Sequence, residues 1–386
     1  MPPAYPALLD DAERPLVDEI QRFAGEELID AHVPQRDTSG AFWEDGWRRC
    51  ASRGLCGLPV PRELGGQGAS RVATAAALEA LGYRCDDAGL LFALNAHLWS
   101  SVVPLWHYGS DEQQRKYLRP LCSGSWVGAH TMTEPGSGSD AFSLSTIAEP
   151  DHDEYVITGR KALITNAPRA NVFIVFARSP GSEGVIGVSA FLVEANAPGL
   201  TIGPPIEKLG LRTAVMSEVS FDHVRVADDS VLGRPGRGAR VFGVAMEWER
   251  LLITAGQLGA LQRSLEEAIA FARDRRQFGV PIAQFQAVSH KLVDARVGIA
   301  AARALMYETA WNFDRGATGP APAAAVKLFA AETAVKLALE LLQVHGGWGY
   351  TRELPFERRL RDAVGARIYS GTSELMRQVV ARSLGL

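Results

Sequence analysis

T-E-P-G-S-G-S-D, running from Thr133 to Asp140, separates a helix-patterned region of the chain from a strand-patterned one. Its two glycines, one proline and three hydroxyl side chains (Thr133, Ser137 and Ser139) cannot continue a helix or a strand. A loop of this make-up can bring backbone N–H groups and short hydroxyls against a flat, polar, hydrogen-bonding ligand. By itself it also reads as an ordinary connecting turn, so its meaning depends on what flanks it.

Before the loop, residues 1–125 read as an N-terminal helical domain. Leu16, Ile20 and Phe23 form an apolar stripe at helical spacing within 13–27, and 74–81 and 113–121 look alike. After it, residues 126–238 read as a middle antiparallel β-domain. Runs 172–176 and 188–193 are rich in β-branched and aromatic residues, Val219 and Phe221 alternate with polar neighbours, and N-A-P, P-G and G-P-P turns punctuate the region. Beyond G-R-P-G-R-G (Gly233 to Gly238), residues 239–386 read as a C-terminal four-helix bundle with helices over 241–273, 285–314, 321–344 and 357–384.

Composition narrows the class. A chain of 386 residues exceeds one hydrophobic core, and 47% hydrophobic with 22% charged residues suits a soluble globular protein. Lysines and arginines number 40 against 44 acidic residues, so no basic face for nucleic acid or an anionic membrane is expected. The N-terminus lacks the cationic and apolar segments of a signal peptide. The longest apolar stretch, 321–342, is interrupted by Lys327, Glu332, Lys336 and Glu340, which reads as the polar side of an amphipathic helix. Cys50, Cys56, Cys85 and Cys122 show no C-x-x-C spacing and read as reduced thiols of a cytoplasmic protein. No H-E-x-x-H occurs among the eight histidines, and no metal site is expected. The glycine-rich segments do not lie in a βαβ unit, so a Rossmann site is not expected either.

Four more phrases accompany the loop: P-R-E-L-G-G-Q-G (Pro61 to Gly68), I-T-N (Ile164 to Asn166), R-R-Q-F-G (Arg275 to Gly279) and Q-V-H-G-G-W-G-Y (Gln343 to Tyr350). In this order and at these separations the chain resembles the acyl-CoA dehydrogenase family, flavoenzymes that desaturate acyl thioesters. The resemblance covers nearly the whole chain and implies FAD lying between the β-domain and the bundle. It implies that Met132, Thr133, Gly138 and Ser139 line the isoalloxazine, with Thr165 at its edge. Leu163 stands where the family often has tryptophan. Arg275 and Phe278 would meet the diphosphate and adenine end, with Gln286, Gln343 and Gly347 in the same half of the site and Thr372 and Glu374 on the other side of the cofactor. An arginine suits that task because its planar donors grip two phosphate oxygens. Because the family draws some of these residues from a neighbouring subunit, a homodimer or homotetramer is implied.

One departure concerns the chemistry. Y-S-G-T (Tyr369 to Thr372) has Ser370 where most members carry their catalytic glutamate. A serine hydroxyl is too weakly basic to remove an α-proton, but the Ser370 backbone N–H can still hold the thioester carbonyl. The replacement base is read from M-E-W-E-R-L. Phe242, Ala245, Met246, Glu249, Leu252, Ile253 and Gly256 share one helical face, which leaves Glu249 as a lone carboxylate in an apolar stripe. Burial there would raise its pKa, as a proton-abstracting base requires. The competing reading makes Glu249 half of a buried pair with an arginine. Glu247 points to another face. Arg250 also faces elsewhere, to orient neighbouring helices or approach the acyl group, and with Ser139 it is assigned to substrate binding. Isovaleryl and long-chain branches of the family likewise place their glutamate at the position of Glu249.

The pairing of Trp248-Glu249 with Ser370 to Thr372, together with A-L-N-A-H-L near His97 and G-V-S-A-F-L-V-E, resembles the branch that oxidises acyl or aminoacyl groups on acyl or peptidyl carrier proteins in natural-product biosynthesis. Prolyl-carrier-protein dehydrogenases typify it. A free CoA thioester is the alternative handle, and a flavin monooxygenase on the same fold is the alternative of another class. His97 and His130 read as satisfied, partly buried histidines and stay outside the catalytic set. The acyl group, the electron acceptor (an electron-transfer flavoprotein or oxygen) and the extent of oxidation stay open.

Overall fold

The computed structural model describes residues 8–182 and 184–386. The N-terminal part is helical, with α1 (Arg14–Glu27), α2 (Arg71–Arg84) and α3 (Ala88–His97) as its main elements. Ser70 caps α2 by accepting the Ala73 N–H, and Asp87 caps α3 by accepting the Leu90 N–H. The helical run that includes α3 continues to Tyr108 through a π-helical turn at Leu98–Val102. It is long and apolar enough to cross a membrane by length and composition, yet most of it is buried inside the fold, as in a core helix.

The middle part is one seven-stranded sheet: β1 (Gly128–Thr131), β2 (Ile147–Asp151), β3 (Glu154–Thr165), β4 (Val172–Arg178), β5 (Val188–Glu194), β6 (Leu200–Ile202) and β7 (Met216–Ala227). It is antiparallel except where β4 runs parallel to β1 and meets β2 at Arg178. Every residue of β4 before Arg178 is buried, because both faces are covered. Val172, Ile174 and Phe176 face Val102, Leu105 and Val241, whereas Phe173, Val175 and Ala177 meet Ile157, Phe191 and Val219.

The C-terminal part holds α4 (Gly238–Leu252), α5 (Ala255–Asp274), α6 (Gln286–Asp314), α7 (Pro320–Val344), α8 (Phe356–Val364) and α9 (Ser373–Ser383). Two expected helices are divided. The 241–273 helix breaks at Ile253–Thr254, after which α5 runs close along α2. A Cβ on Gly82 would sit 1.8 Å from the Gly256 carbonyl oxygen, and one on Gly259 would sit 2.0 Å from that of Glu79. The 357–384 helix is interrupted by a 3₁₀ turn at Gly365–Arg367 and by the Y-S-G-T segment, where Ser370 and Gly371 adopt left-handed φ. Leu78 and Leu81 share one core with Leu251, Leu252, Leu258 and Leu261, so the N-terminal helices and the bundle pack as one body.

Candidate active site

Helix α4 is anchored twice. Val241 packs on the β4–β5 face, and Trp248, Leu251 and Leu252 enter the core shared with the N-terminal helices. Between these anchors Glu249 is 8% exposed. The Ser370 hydroxyl donates to its Oε1 at 2.5 Å, and the Ser100 hydroxyl to its Oε2 at 3.5 Å. Glu247 pairs with Arg71 at 3.3 Å, as its different face requires. Glu249 makes no ion pair among the described residues, so the competing buried-pair reading fails. Burial pushes the Glu249 carboxyl above its usual range, opposed by the Ser370 hydroxyl and the charge of Arg250.

Arg250 does not face away from this carboxylate's surroundings. Its Nε donates to the Ser370 carbonyl at 3.1 Å, so consecutive residues of α4 hold the same loop, one through the side chain and one through the backbone. From α7, Lys327 Nζ donates to the Gly371 carbonyl at 2.5 Å. Lys327 is fully buried, which corrects its reading as part of an exposed polar face, and burial with Arg250 nearby lowers its pKa to about 8. The left-handed φ values of +58° at Ser370 and +94° at Gly371 accompany these two carbonyl contacts. The Ser370 N–H makes no hydrogen bond to a described residue. Beside this loop, Tyr369 packs on Phe92 at 4.7 Å between ring centres, and a mostly apolar cavity opens past them, lined also by Asn95, Leu211, Ile253 and Gln257.

The Thr133–Asp140 loop is fixed from beneath. Glu134 is buried against Lys161 Nζ at 2.8 Å and accepts the Ser145 and Thr146 amides, while the Lys161 ammonium also donates to the Met132 carbonyl. Lys161 holds the Glu134 carboxyl well below its usual range, overcoming the effect of burial, while burial pulls the lysine down. The Ala162 N–H reaches the Thr133 carbonyl at 2.9 Å, which joins loop to strand. A bulge between Lys161 and Ile164 then turns Leu163 outward at φ +58° and 55% exposure. Met132 is buried, Thr133 and Thr165 are half-buried, and Gly138 and Ser139 are exposed. A Cβ on Gly136 or Gly138 would meet nothing within 4 Å, so this side of the loop is open.

A second, separate region lies in the bundle. Arg275, Gln343 and Gly347 line one open cleft together with Phe271, His345 and Trp348. Phe278, at the tip of the Arg276–Gln277 and Val280–Pro281 hairpin, is 95% exposed with φ +53°, and Gln286 is exposed at the start of α6. Thr372 caps α9 by accepting the Leu375 N–H, and Glu374 is exposed in its first turn. His97 is buried and satisfied, bonded to the Leu121 carbonyl and the Gly128 amide. His130 is half-buried beside an aromatic group that includes Phe176 and Phe242, and its Nδ1 lacks a partner among the described residues.

Two contributors escaped the sequence. Ser100 sits on the π-helical turn, whose geometry no residue pattern announces. Lys327 had a signal: it shares helical spacing with Ala331, Ala334 and Ala338, all buried.

This is the architecture of an acyl-CoA dehydrogenase, and the chain belongs to that family: the family's N-terminal domain matches residues 10–125, its middle domain 129–224 and its C-terminal domain 236–385. Among its relatives is the L-prolyl-[peptidyl-carrier protein] dehydrogenase of Pseudomonas fluorescens, 36% identical over 98% of this chain and 99% of that one. The mitochondrial isovaleryl-CoA dehydrogenase of Oryza sativa subsp. japonica is also 36% identical, over 98% and 92%. Of solved structures, the prolyl acyl carrier protein oxidase AnaB superposes with a TM-score of 0.95 at 39% identity, covering 98% of this chain and 100% of its own. PigA with FAD and proline superposes at 0.95 with 35% identity, covering 98% of each.

Proposed function

We propose that the protein is an FAD-dependent dehydrogenase that introduces an α,β double bond into a short acyl or aminoacyl thioester carried on an acyl or peptidyl carrier protein. The observation that carries the reading is Glu249: a buried carboxylate that makes no ion pair among the described residues, hydrogen-bonded by the residue that replaces the family's usual glutamate. Kinship with a prolyl-carrier-protein dehydrogenase supports the handle, and kinship with an isovaleryl-CoA dehydrogenase keeps a free CoA thioester as the second reading.

The residues fit a flavin. The open side of the Thr133–Asp140 loop, with Met132, Thr133, Gly138, Ser139, outward-turned Leu163 and Thr165, suits a flat ring. Arg275, Phe278, Gln286, Gln343 and Gly347 would hold the diphosphate and adenine end, with Thr372 and Glu374 on the other side. The bundle cleft and the exposed Phe278, Trp348 and Tyr350 fit a dimer or tetramer in which one copy completes the site of another. When bound, FAD supplies the acceptor for the hydride that leaves the β-carbon.

This chain's residues do the rest. Glu249 takes the α-proton, and its raised pKa makes it a stronger base than an exposed glutamate. The free Ser370 N–H polarises the thioester carbonyl, so that charge developing at its oxygen meets a fixed donor. Arg250 and Lys327 hold the two carbonyls that orient this N–H. Arg250 and Ser139 would also meet the substrate. A hydroxylating relative would need no carboxylate at residue 249, which disfavours the monooxygenase reading. Four buried free thiols fit the reducing cytoplasm, and an electron-transfer flavoprotein or oxygen would reoxidise the enzyme.

The test is anaerobic flavin absorbance with matched prolyl and short acyl thioesters on a carrier protein and on CoA. Bleaching with the carrier form alone is expected. Bleaching with CoA forms alone would replace the handle, and silence with every thioester would end the dehydrogenase reading.

A further inference from the structure

The G-R-P-G-R-G-A-R segment has no part in the site described above. Arg234, Arg237 and Arg240 are all exposed, and none makes an ion pair among the described residues. Two successive turns fix their spacing: the Arg237 N–H donates to the Arg234 carbonyl and the Arg240 N–H to the Arg237 carbonyl, each at 3.0 Å. The first turn carries Gly236 at φ +69° and the second opens α4, so hydrogen bonds define the backbone that bears all three arginines. The segment is also fastened to the sheet. The Gly236 N–H donates to Ser189 Oγ at 2.8 Å, and a Cβ on Gly238 would lie 2.9 Å from the Val188 carbonyl oxygen. Next to it Ile186 and Val185 are 83% and 48% exposed, and a Cβ on Gly236 would lie 2.9 Å from the Ile186 carbonyl oxygen. The surface therefore presents three exposed arginines that make no ion pair among the described residues, on a hydrogen-bonded segment beside an apolar knuckle. The acidic residues nearest in sequence, Asp228 and Asp229, are exposed and make no ion pair with it.

Its position relative to the base is set by α4. Arg237 precedes the helix, Arg240 lies in its first turn, and Glu249 follows nine residues later, about 14 Å along the axis. Gly243 lies between them, exposed, with nothing within 4 Å of the place a Cβ would take. Arg240 and Glu249 also lie half a turn apart around the helix, so an arm docked at the arginines would pass round α4 by its open side at Gly243 to reach the base.

Resting on the carrier-protein reading above, we infer that Arg234, Arg237 and Arg240, with Val185 and Ile186, form the docking surface for an acidic carrier domain. The arginines take the phosphodiester of the phosphopantetheine arm and carboxylates of the domain's surface, and the two apolar side chains take an apolar contact beside them. Arginine suits both anions because its planar donors bind phosphate and carboxylate in pairs.

The test uses the FAD-loaded enzyme and its R234E/R237E/R240E variant. Each is offered one acyl group, whichever of prolyl, butyryl and isovaleryl bleaches the parent flavin, on a carrier domain, on CoA and on N-acetylcysteamine. KM for the carrier form should rise about tenfold or more, with the N-acetylcysteamine thioester oxidised as before. The parent's KM for the carrier form should rise with salt, and that dependence should weaken in the variant. An unchanged KM for the carrier form would overturn the inference, and so would an equal rise with CoA, which would assign the arginines to nucleotide phosphates. If the triple variant loses activity on N-acetylcysteamine thioester, R237Q/R240Q takes its place under the same criteria. Failure of the dehydrogenase reading shows separately, as a parent flavin that no thioester bleaches. Fluorescence anisotropy of the labelled carrier domain then reads docking without turnover, and equal binding by parent and variant overturns it.

Discussion

Glu134 and Glu249 are both buried glutamates beside glycine-containing loops, and their surroundings make them opposites. Glu134 meets a lysine at 2.8 Å, two backbone amides and the Ser145 hydroxyl, so every contact favours the ionised form. Its carboxyl is held well below the usual range. Glu249 meets two hydroxyls, and burial outweighs them to push its carboxyl up. The first arrangement fixes the loop; the second leaves a carboxylate whose charge is incompletely satisfied and whose affinity for a proton is high. A carboxylate becomes a strut or a base according to whether its neighbours satisfy its charge.

The largest effect expected from this contrast is on the chemistry of Glu249→Gln. Flavin reduction by substrate should slow by about 10²–10⁴-fold, the range for loss of a general base. FAD should stay bound. Stability should move the other way. A carboxyl whose folded pKa is raised costs stability once the pH exceeds that value, so the glutamine should unfold at an equal or higher temperature at neutral pH. A variant reduced at the parent's rate would remove Glu249 from the base role.

Glu134→Gln should show the mirror image. It leaves the Lys161 ammonium buried with an uncharged amide, and breaking such a pair costs about 3–5 kcal/mol. Thermal unfolding should drop, flavin should be lost more readily, and reduction per bound flavin should change little. The sign follows from the depressed pKa: the pair's stabilisation is present above the ordinary carboxylate range and is lost as the pH falls through the folded value. The gap in unfolding temperature between parent and variant should therefore be full at neutral pH and close in strong acid. A constant gap at all pH values would mean that packing, not charge, fixes this loop.

The sequence disclosed these two glutamates unequally. Glu249 was legible because a lone carboxylate interrupts an apolar helical stripe, and α4 has the expected face. Glu134 sat in the opening motif, but its role depends on Lys161, far along the chain and brought beneath the loop by β3. The same limit explains Leu163, whose outward turn comes from a bulge in the pairing of β3 with β7, a property of two strands and not of one. Helix breaks failed for a related reason. Ile253 and Thr254 keep right-handed helical angles, and the glycine of I-T-A-G, Gly256, lies inside α5 rather than at the break. Gly371 foreshadowed the break before α9, but nothing marked Ser370 as a second left-handed residue.

Ser370→Ala tests the difference between the two glutamates with the smallest change. The methyl group keeps the backbone N–H that would hold the thioester carbonyl and removes the hydroxyl that donates to Glu249. Reduction needs Glu249 ionised, so its rate should climb as the pH rises through the raised pKa and then level off. The Ser370 hydroxyl stabilises the ionised form; without it the carboxyl holds its proton more tightly, and the climb should move to higher pH. A hydrogen bond to a charged group is worth about 1.5–3 kcal/mol, so reduction on the acid limb should be roughly tenfold slower or more. On the alkaline plateau, where the carboxyl is ionised in both proteins, the rates should converge. That convergence is what distinguishes tuning of the base from damage to the loop. Misplacing the Ser370 N–H would slow the reaction by the same factor at every pH. An equal loss across the whole profile would therefore mean that Ser370 acts through the loop carried by Arg250 and Lys327 and that burial alone sets the Glu249 proton affinity.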